Sequence, residues 1–157
     1  MQNNAIFEEL KSYGEKFGAV LGELSQLESI SEEGYSEREV ILQDNKLTLY
    51  HYLDGDKQAA EEKISTPVLI VYALVNRPTI LDLEEKRSAI AKMLEYGLDV
   101  YLIDWGYPDK SDSHLDLNDY INDQLYGCVT NICEKHSIDS INILGVCQGG
   151  ALSLCYS

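Results

Sequence analysis

The chain has 157 residues, which is enough for one domain with a hydrophobic core. Its net charge of −15 at pH 7 argues against a nucleic-acid or anionic-membrane partner, because both require basic surfaces. No apolar run approaches the roughly 20 residues of a membrane span, and no signal peptide is recognisable. The four cysteines fit a reducing compartment better than a disulfide framework. We therefore expect a cytoplasmic protein without a transmembrane segment.

The first third of the chain predicts a helix followed by a β-hairpin. Residues 5–29 have apolar side chains near helical spacing, so they predict an amphipathic helix that either packs on the domain or docks a partner. A polar break at 31–36 follows. Residues 37–43 and 46–53 then predict two strands that are joined by a tight turn at Asp44 and Asn45.

The rest of the chain alternates apolar runs with amphipathic segments. This alternation predicts an α/β fold, with a mostly parallel sheet, right-handed crossovers and flanking helices. Gly97 is expected to end the first of these helices. The predicted strands and helices are, in chain order, strand 68–74, helix 82–96, strand 98–103, helix 117–136 and strand 140–144.

A pentapeptide of the form Gly-x-Cys-x-Gly surrounds Cys147 and predicts a buried strand, a very tight turn and the start of a helix. Gly145 and Gly149 have no Cβ, so the strand and the helix can approach each other closely. The pattern has the form of the nucleophile elbow of the α/β-hydrolase fold, with cysteine in place of serine. We therefore expect Cys147 to be a nucleophile. The alternative is a small buried cysteine beside structural glycines.

Backbone N–H groups are the expected donors of the oxyanion hole. One belongs to Gln148, directly after the nucleophile, and the other to Val75, in the loop after the strand that neighbours the elbow strand. Arg77, in the same loop, is a candidate for holding a substrate phosphate or carboxylate, with an ion pair or a solvated position as the alternative. The glycine spacing fits neither a dinucleotide loop nor a phosphate loop. The cysteines lack zinc-site spacing, so we expect no metal.

The three histidines are poorly placed to activate Cys147. His136 precedes the elbow strand, which puts it at the opposite end of the sheet, about 15 Å away at roughly 3.3 Å per strand residue. His51 belongs to the N-terminal hairpin, and we expect it on the surface. His114 follows a strand on the same sheet edge as Cys147 and is a candidate base, although a solvated acidic loop is the simpler interpretation of its surroundings.

The triad acid and histidine of an α/β-hydrolase follow the nucleophile along the chain. We therefore expect this chain to be the N-terminal half of an α/β-hydrolase fold, with the C-terminal strands and the cap region absent. The expected division is an N-terminal helical segment, 1–36, and a truncated catalytic domain, 37–157. Alone, such a chain is expected to be inactive, because a thiol without its base is a weak nucleophile.

Four segments, taken together, resemble the PhaC subunit of polyhydroxyalkanoate synthases, and the two-subunit class III enzymes most of all. They are 71–78, 98–108, 119–121 and 145–150. The resemblance implies a cysteine acyltransferase that takes 3-hydroxyacyl-CoA, typically 3-hydroxybutyryl-CoA, releases CoA and extends a polyester. It implies that Cys147 carries the acyl chain as a thioester. The aspartate and histidine of the family lie downstream of the elbow and have no positions in this sequence.

The resemblance also implies the partners and the location of the protein. No cofactor is expected, since the CoA thioester is the substrate. A second synthase subunit of the PhaE or PhaR type, homo-oligomerisation and association with polymer granules in the cytoplasm are expected of the full protein. Two alternatives stay open: a cysteine hydrolase, such as a dienelactone-hydrolase-like enzyme or a thioesterase, and a non-catalytic interaction fragment.

Overall fold

The computed structural model describes residues 34–53 and 64–157, so the helix predicted over 5–29 lies outside the described residues. Five strands form one mixed sheet in the order β1-β2-β4-β3-β5. The first two strands and β4 pair antiparallel, whereas β3 pairs in parallel with both β4 and β5. The predicted α/β class is confirmed. The strands are β1 Arg38–Asp44, β2 Leu47–Tyr52, β3 Val68–Val71, β4 Val100–Asp104 and β5 Asn142–Gly145.

The hairpin predicted from the sequence is present and turns at Asn45 and Lys46, one residue later than predicted. Asn45 has a φ of 52°, a left-handed conformation that asparagine adopts more readily than most residues. A bulge between Val40 and Leu42 shifts the pairing of β1 with β2. Beyond the hairpin, β2 pairs with β4, which joins the antiparallel and parallel parts of the sheet.

The helix predicted over 82–96 is wrong in its first half. The first α-helix of the described chain, α1, spans only Ala89–Glu95. Asp82 is fully buried and forms a bridge to Ser88, and the chain between them contains only a short 3-10 helix, Glu85–Arg87, in place of the predicted α-helix. The Ser88 hydroxyl accepts a hydrogen bond from the Ala91 N–H and so caps α1.

Gly97 ends α1 as predicted, with a φ of 77°. The N–H of Gly97 donates to the Leu94 carbonyl, and the N–H of Leu98 donates to that of Met93. These two bonds form a Schellman motif, which requires a left-handed residue after the helix. Glycine takes up that conformation without a steric cost.

The helix predicted over 117–136 is present in two forms. A π-helical segment, Asp119–Leu125, continues directly into α2, Tyr126–His136. The third helix, α3, spans Gln148–Tyr156 and packs against the π-helical segment and β5. No helix among the described residues is long and apolar enough to cross a membrane.

Two apolar clusters cover the two faces of the sheet. The larger cluster joins alternate residues of β3 and β4 to the π-helical segment, α2 and α3. The smaller one joins the other residues of these strands to α1. Strand β5 was predicted to be buried, and this is wrong within the described chain: Asn142 and Leu144 are exposed. The reason is that β5 lies at the sheet edge and pairs only with β3.

Candidate active site

Cys147 lies in the turn between β5 and α3, at the carboxyl end of the strand. Its φ of 57° and ψ of −125° belong to a region that side-chain-bearing residues rarely occupy, so the backbone is strained there. The N–H of Gly149 donates to the Val146 carbonyl, and the N–H of Gly150 donates to that of Cys147, each at 3.0 Å. The turn therefore has the predicted strand–turn–helix form, and Cys147 is exposed.

The two elbow glycines are required by backbone contacts. A Cβ on Gly149 would lie 1.9 Å from the Val71 carbonyl oxygen, and a Cβ on Gly145 would lie 2.5 Å from the Gly150 Cα. Neither neighbour is a flexible side chain that could move aside. The first contact brings α3 onto the end of β3, and the second brings it onto the end of β5.

The backbone groups predicted as oxyanion donors lie in two loops at the same sheet edge. Within the described residues, neither the Gln148 N–H nor the Val75 N–H donates to a backbone carbonyl. Both residues are exposed, Val75 with 79% of its surface accessible. The Val146 N–H donates to the Val71 carbonyl at 2.9 Å, so the elbow is bonded to the strand that leads into the Val75 loop.

Arg77 forms an ion pair rather than facing solvent. Its Nη1 lies 3.1 Å from Oδ1 of Asp104, whose side chain is only 5% exposed. The same oxygen accepts the Gly106 N–H at 2.9 Å, and the guanidinium of Arg77 lies 4.5 Å from the ring centroid of Tyr107. The described structure therefore contains the ion pair, one of the alternatives that the sequence left open for Arg77.

A second bond, like the Arg77–Asp104 pair, joins the segment after β3 to the end of β4 and the residue that follows it. The indole N–H of Trp105 donates to the Tyr72 carbonyl at 3.0 Å. Beside this bond, a cavity of about 430 Å³ lies between the hairpin turn and the chain that follows β4. Its apolar walls include Leu47, Leu74, Trp105 and Tyr120.

The acidic loop after β4 is tied to the hairpin. The Lys46 ammonium lies 2.7 Å from the Asp109 carboxylate and 2.5 Å from that of Asp112. Hydrogen bonds from Lys46 and Ser111 hold the pKa of Asp109 well below its usual range. His114 in this loop is exposed, and its Nδ1 lies 2.8 Å from the Ser111 carbonyl oxygen.

The two other histidines lie at the opposite end of the sheet from Cys147. His136 ends α2, as expected, and its Nε2 lies 2.8 Å from the Tyr101 hydroxyl. The prediction that His51 is a surface residue is wrong, because its side chain is only 18% exposed. Its ring stacks on Tyr101 and bridges the carboxylates of Glu39 and Asp99, at 3.1 and 2.7 Å.

The contacts of this histidine cluster shift two pKa values in opposite directions. The hydrogen bond with Asp99 raises the pKa of His51 above its usual value, although burial opposes the change. Burial acts to raise the pKa of Asp99, but the hydrogen bond and charge of His51 outweigh it and lower that pKa. This cluster is not visible in the sequence, because it depends on the pairing of His51 with Tyr101 across β2 and β4.

The described residues include no group of three or more His, Cys, Asp or Glu side chains arranged to hold a metal ion. The cysteines other than Cys147 differ in burial: Cys128 is buried, Cys133 is partly buried and Cys155 is exposed. Burial raises the pKa of the Cys128 thiol to about 12, so it is unreactive at neutral pH.

The alpha/beta hydrolase fold model matches residues 46–157 of the chain. The chain belongs to the alpha/beta hydrolase fold family. It is 48% identical over 152 residues to the poly(3-hydroxyalkanoate) polymerase subunit PhaC of Thiocystis violacea, and 46% identical over 152 residues to that of Allochromatium vinosum. It is 44% identical over 153 residues to the PhaC subunit of Synechocystis. The predicted resemblance to PhaC subunits is confirmed.

These alignments include nearly all of this chain but less than half of each relative. They cover 97%, 97% and 95% of the chain, and 42%, 42% and 39% of the respective relatives. The chain therefore spans about two fifths of the length of the curated relatives that it matches.

Proposed function

We propose that the protein containing this chain is an acyltransferase of polyester synthesis. It transfers a 3-hydroxyacyl group from CoA to Cys147 and then to the hydroxyl end of a growing polyester. The observation that carries the proposal is the strained, exposed position of Cys147 at the N-terminus of α3. Sequence identity of 44–48% to subunits that are named as polymerases supports the choice of substrate.

In the first step, the Cys147 sulfur attacks the thioester carbonyl of the substrate. A new carbon–sulfur bond forms, the bond to CoA breaks, and the cysteine proton leaves with the CoA thiol. One thioester replaces another, so the acyl group stays activated. We assign the N–H groups of Gln148 and Val75 as hydrogen-bond donors to the oxyanion that develops in the transition state. Such donors lower the activation barrier of acyl transfer.

In the second step, the hydroxyl of a hydroxyacyl group attacks the Cys147 thioester. An ester bond forms, the cysteine leaves as the thiol, and the hydroxyl proton returns to it. Water is the competing nucleophile, and it would release a free hydroxy acid. Polymer synthesis therefore requires a closed site that excludes water.

We propose that the base for both steps lies outside this chain, which alone is inactive. All three histidines of the chain are described, and none is hydrogen-bonded to Cys147. His51 and His136 are held at the far end of the sheet by Asp99 and Tyr101. The exposed His114 lies against the backbone of its own loop.

The remaining features of the proposal follow the resemblance to PhaC. The substrate is a 3-hydroxyacyl-CoA such as 3-hydroxybutyryl-CoA, and no further cofactor takes part. A second subunit of the PhaE or PhaR type joins the synthase, which assembles as an oligomer on polymer granules in the cytoplasm. The net charge of −15 disfavours nucleic acid as a partner.

The test incubates the protein containing this chain with 3-hydroxybutyryl-CoA and follows CoA and polymer by chromatography. We expect CoA release with polymer, abolished by Cys147→Ala and unaffected by Cys155→Ala, which removes the exposed thiol of the helix that follows Cys147. Free 3-hydroxybutyrate without polymer would instead indicate a hydrolase, the alternative that membership of the alpha/beta hydrolase fold family favours. No CoA release at all would indicate a non-catalytic interaction protein.

A further inference from the structure

The loop that carries Val75 is held by contacts on both of its sides. On one side, the elbow packs against the Val71 carbonyl through Gly149. On the other side, the end of β4 and the residue after it hold the loop through two hydrogen bonds, from Arg77 to Asp104 at 3.1 Å and from Trp105 to the Tyr72 carbonyl at 3.0 Å. Arg77 lies two residues beyond Val75, so its side chain fixes the far end of that loop.

The Arg77–Asp104 pair is shielded from water. Asp104 is almost completely buried and Arg77 is 25% exposed, with its guanidinium over the ring of Tyr107. Arg77 Nε is buried and has no hydrogen-bond partner among residues 34–53 and 64–157. A buried donor without an acceptor costs free energy. The contacts with Asp104 and Tyr107 therefore have to offset this cost to hold the guanidinium in place.

We propose that Arg77 is a positioning residue for the acyl-transfer site, acting through Asp104. The pair holds the loop of residues 72–78 at the distance from the elbow that puts the Val75 N–H beside the oxyanion. This inference rests on the proposed function, because it concerns the transition state of acyl transfer to Cys147. In this arrangement Arg77 binds the Asp104 carboxylate rather than a substrate phosphate.

The test compares two reactions of Cys147 in the protein containing this chain. Acylation by a synthetic phenyl thioester passes through an oxyanion, whereas alkylation by iodoacetamide does not. Mass spectrometry of the Cys147 peptide measures both rates and separates them from reactions at Cys133 and Cys155. The synthetic thioester needs no CoA recognition, so the assay works even if polymer synthesis is disproved.

The decisive variants are Arg77→Gln, Asp104→Asn and the two combined. Each single change is expected to lower the acylation rate by about 10- to 100-fold and to leave the alkylation rate within about twofold of wild type. The reason is that a misplaced oxyanion donor can slow acylation by as much as the loss of that donor would. The double variant buries no unpaired charge and is therefore expected to fold. Its acylation rate should stay as low as in the single variants, because the Arg77–Asp104 ion pair is absent in all three.

The matched control is Lys92→Gln, which breaks the exposed ion pair with Glu95 at 2.6 Å and should change neither rate. Arg77→Lys keeps the charge without the planar fork and should recover only part of the acylation rate. An unchanged ratio of acylation to alkylation in the folded double variant would overturn the proposal. An equal fall in both rates would also overturn it, because that pattern indicates a purely structural role.

Discussion

The carbonyl oxygen of Val71 lies so close to Gly149 that a Cβ at residue 149 would approach it to 1.9 Å. The same oxygen accepts a hydrogen bond from the Val146 N–H at 2.9 Å. The last residue of β3 thus fixes both sides of the turn that presents Cys147. The position of the thiol is determined by a neighbouring strand as well as by its own strand.

This contact predicts that Gly149→Ala is strongly unfavourable. The methyl group would displace α3 from β3, which should cost about 1–3 kcal/mol of unfolding free energy and lower the reactivity of Cys147. Chemical denaturation measures the first effect, and the rate of Cys147 alkylation measures the second. Gly127→Ala is the control, because its Cβ would meet nothing within 4 Å on a helix. That change should leave stability equal or raise it by up to about 1 kcal/mol.

Asp82 predicts a second sensitive position. Its carboxylate accepts the N–H groups of Tyr35 and Ser36, at 3.0 and 2.7 Å, and the hydroxyl of Ser88 at 2.5 Å. In Asp82→Ala the Tyr35 N–H keeps the backbone carbonyl of residue 82 as its acceptor, at 2.8 Å, but the Ser36 N–H and the Ser88 hydroxyl lose the carboxylate. This loss should destabilise the fold by about 3 kcal/mol. Protease cleavage near residue 36 should become faster. Equal stability and cleavage in Asp82→Ala and in the exposed Glu84→Ala would contradict this role.

The cluster around His51 predicts a dependence of stability on pH. The pKa of His51 is raised, so its ion pair with Asp99 is fully present below about pH 6.5 and is lost as the pH rises through the folded-state value. The pKa of Asp99 is lowered, so its contribution is lost only as the pH falls below about 3.8. Between these limits the pair should stabilise the fold most.

His51→Gln tests this window. At pH 6 it should lower the unfolding free energy by about 1 kcal/mol, a value kept small because solvent partly screens the site. The difference from wild type should shrink towards pH 9. Glu39, Lys135 and Tyr101 also contact the His51 ring, and His136 contacts the same Asp99 carboxylate. All four are unchanged in this variant. A difference that is constant from pH 5 to 9, or equal to that of the exposed His114→Gln, would disprove the assignment.

The parts of the fold that local sequence determines could be predicted. Gly145 and Gly149 flank Cys147 within five residues, and this spacing indicates the tight turn directly. The Gly97 helix end is equally local, because both of its hydrogen bonds close within five residues. The hairpin turn lies one residue later than predicted, and Asn45 belongs to both the predicted and the observed turn.

The parts that depend on distant pairing could not be predicted. Asp82 looked like the start of a helix, but its acceptor role is set by Tyr35 and Ser36, which are 47 and 46 residues away. His51 looked exposed because the pairing of β2 with β4 is not visible in the hairpin itself. The ion pair of Arg77 likewise joins residues 27 positions apart.

The proposed acyl transfer requires that Cys147 carries the acyl group. The direct measurement is peptide mass spectrometry of the protein containing this chain, quenched in acid shortly after mixing with 3-hydroxybutyryl-CoA. We expect a 3-hydroxybutyryl adduct on the Cys147 peptide that hydroxylamine removes and that Cys147→Ala abolishes. An adduct on another residue, or undiminished CoA release by Cys147→Ala, would contradict it.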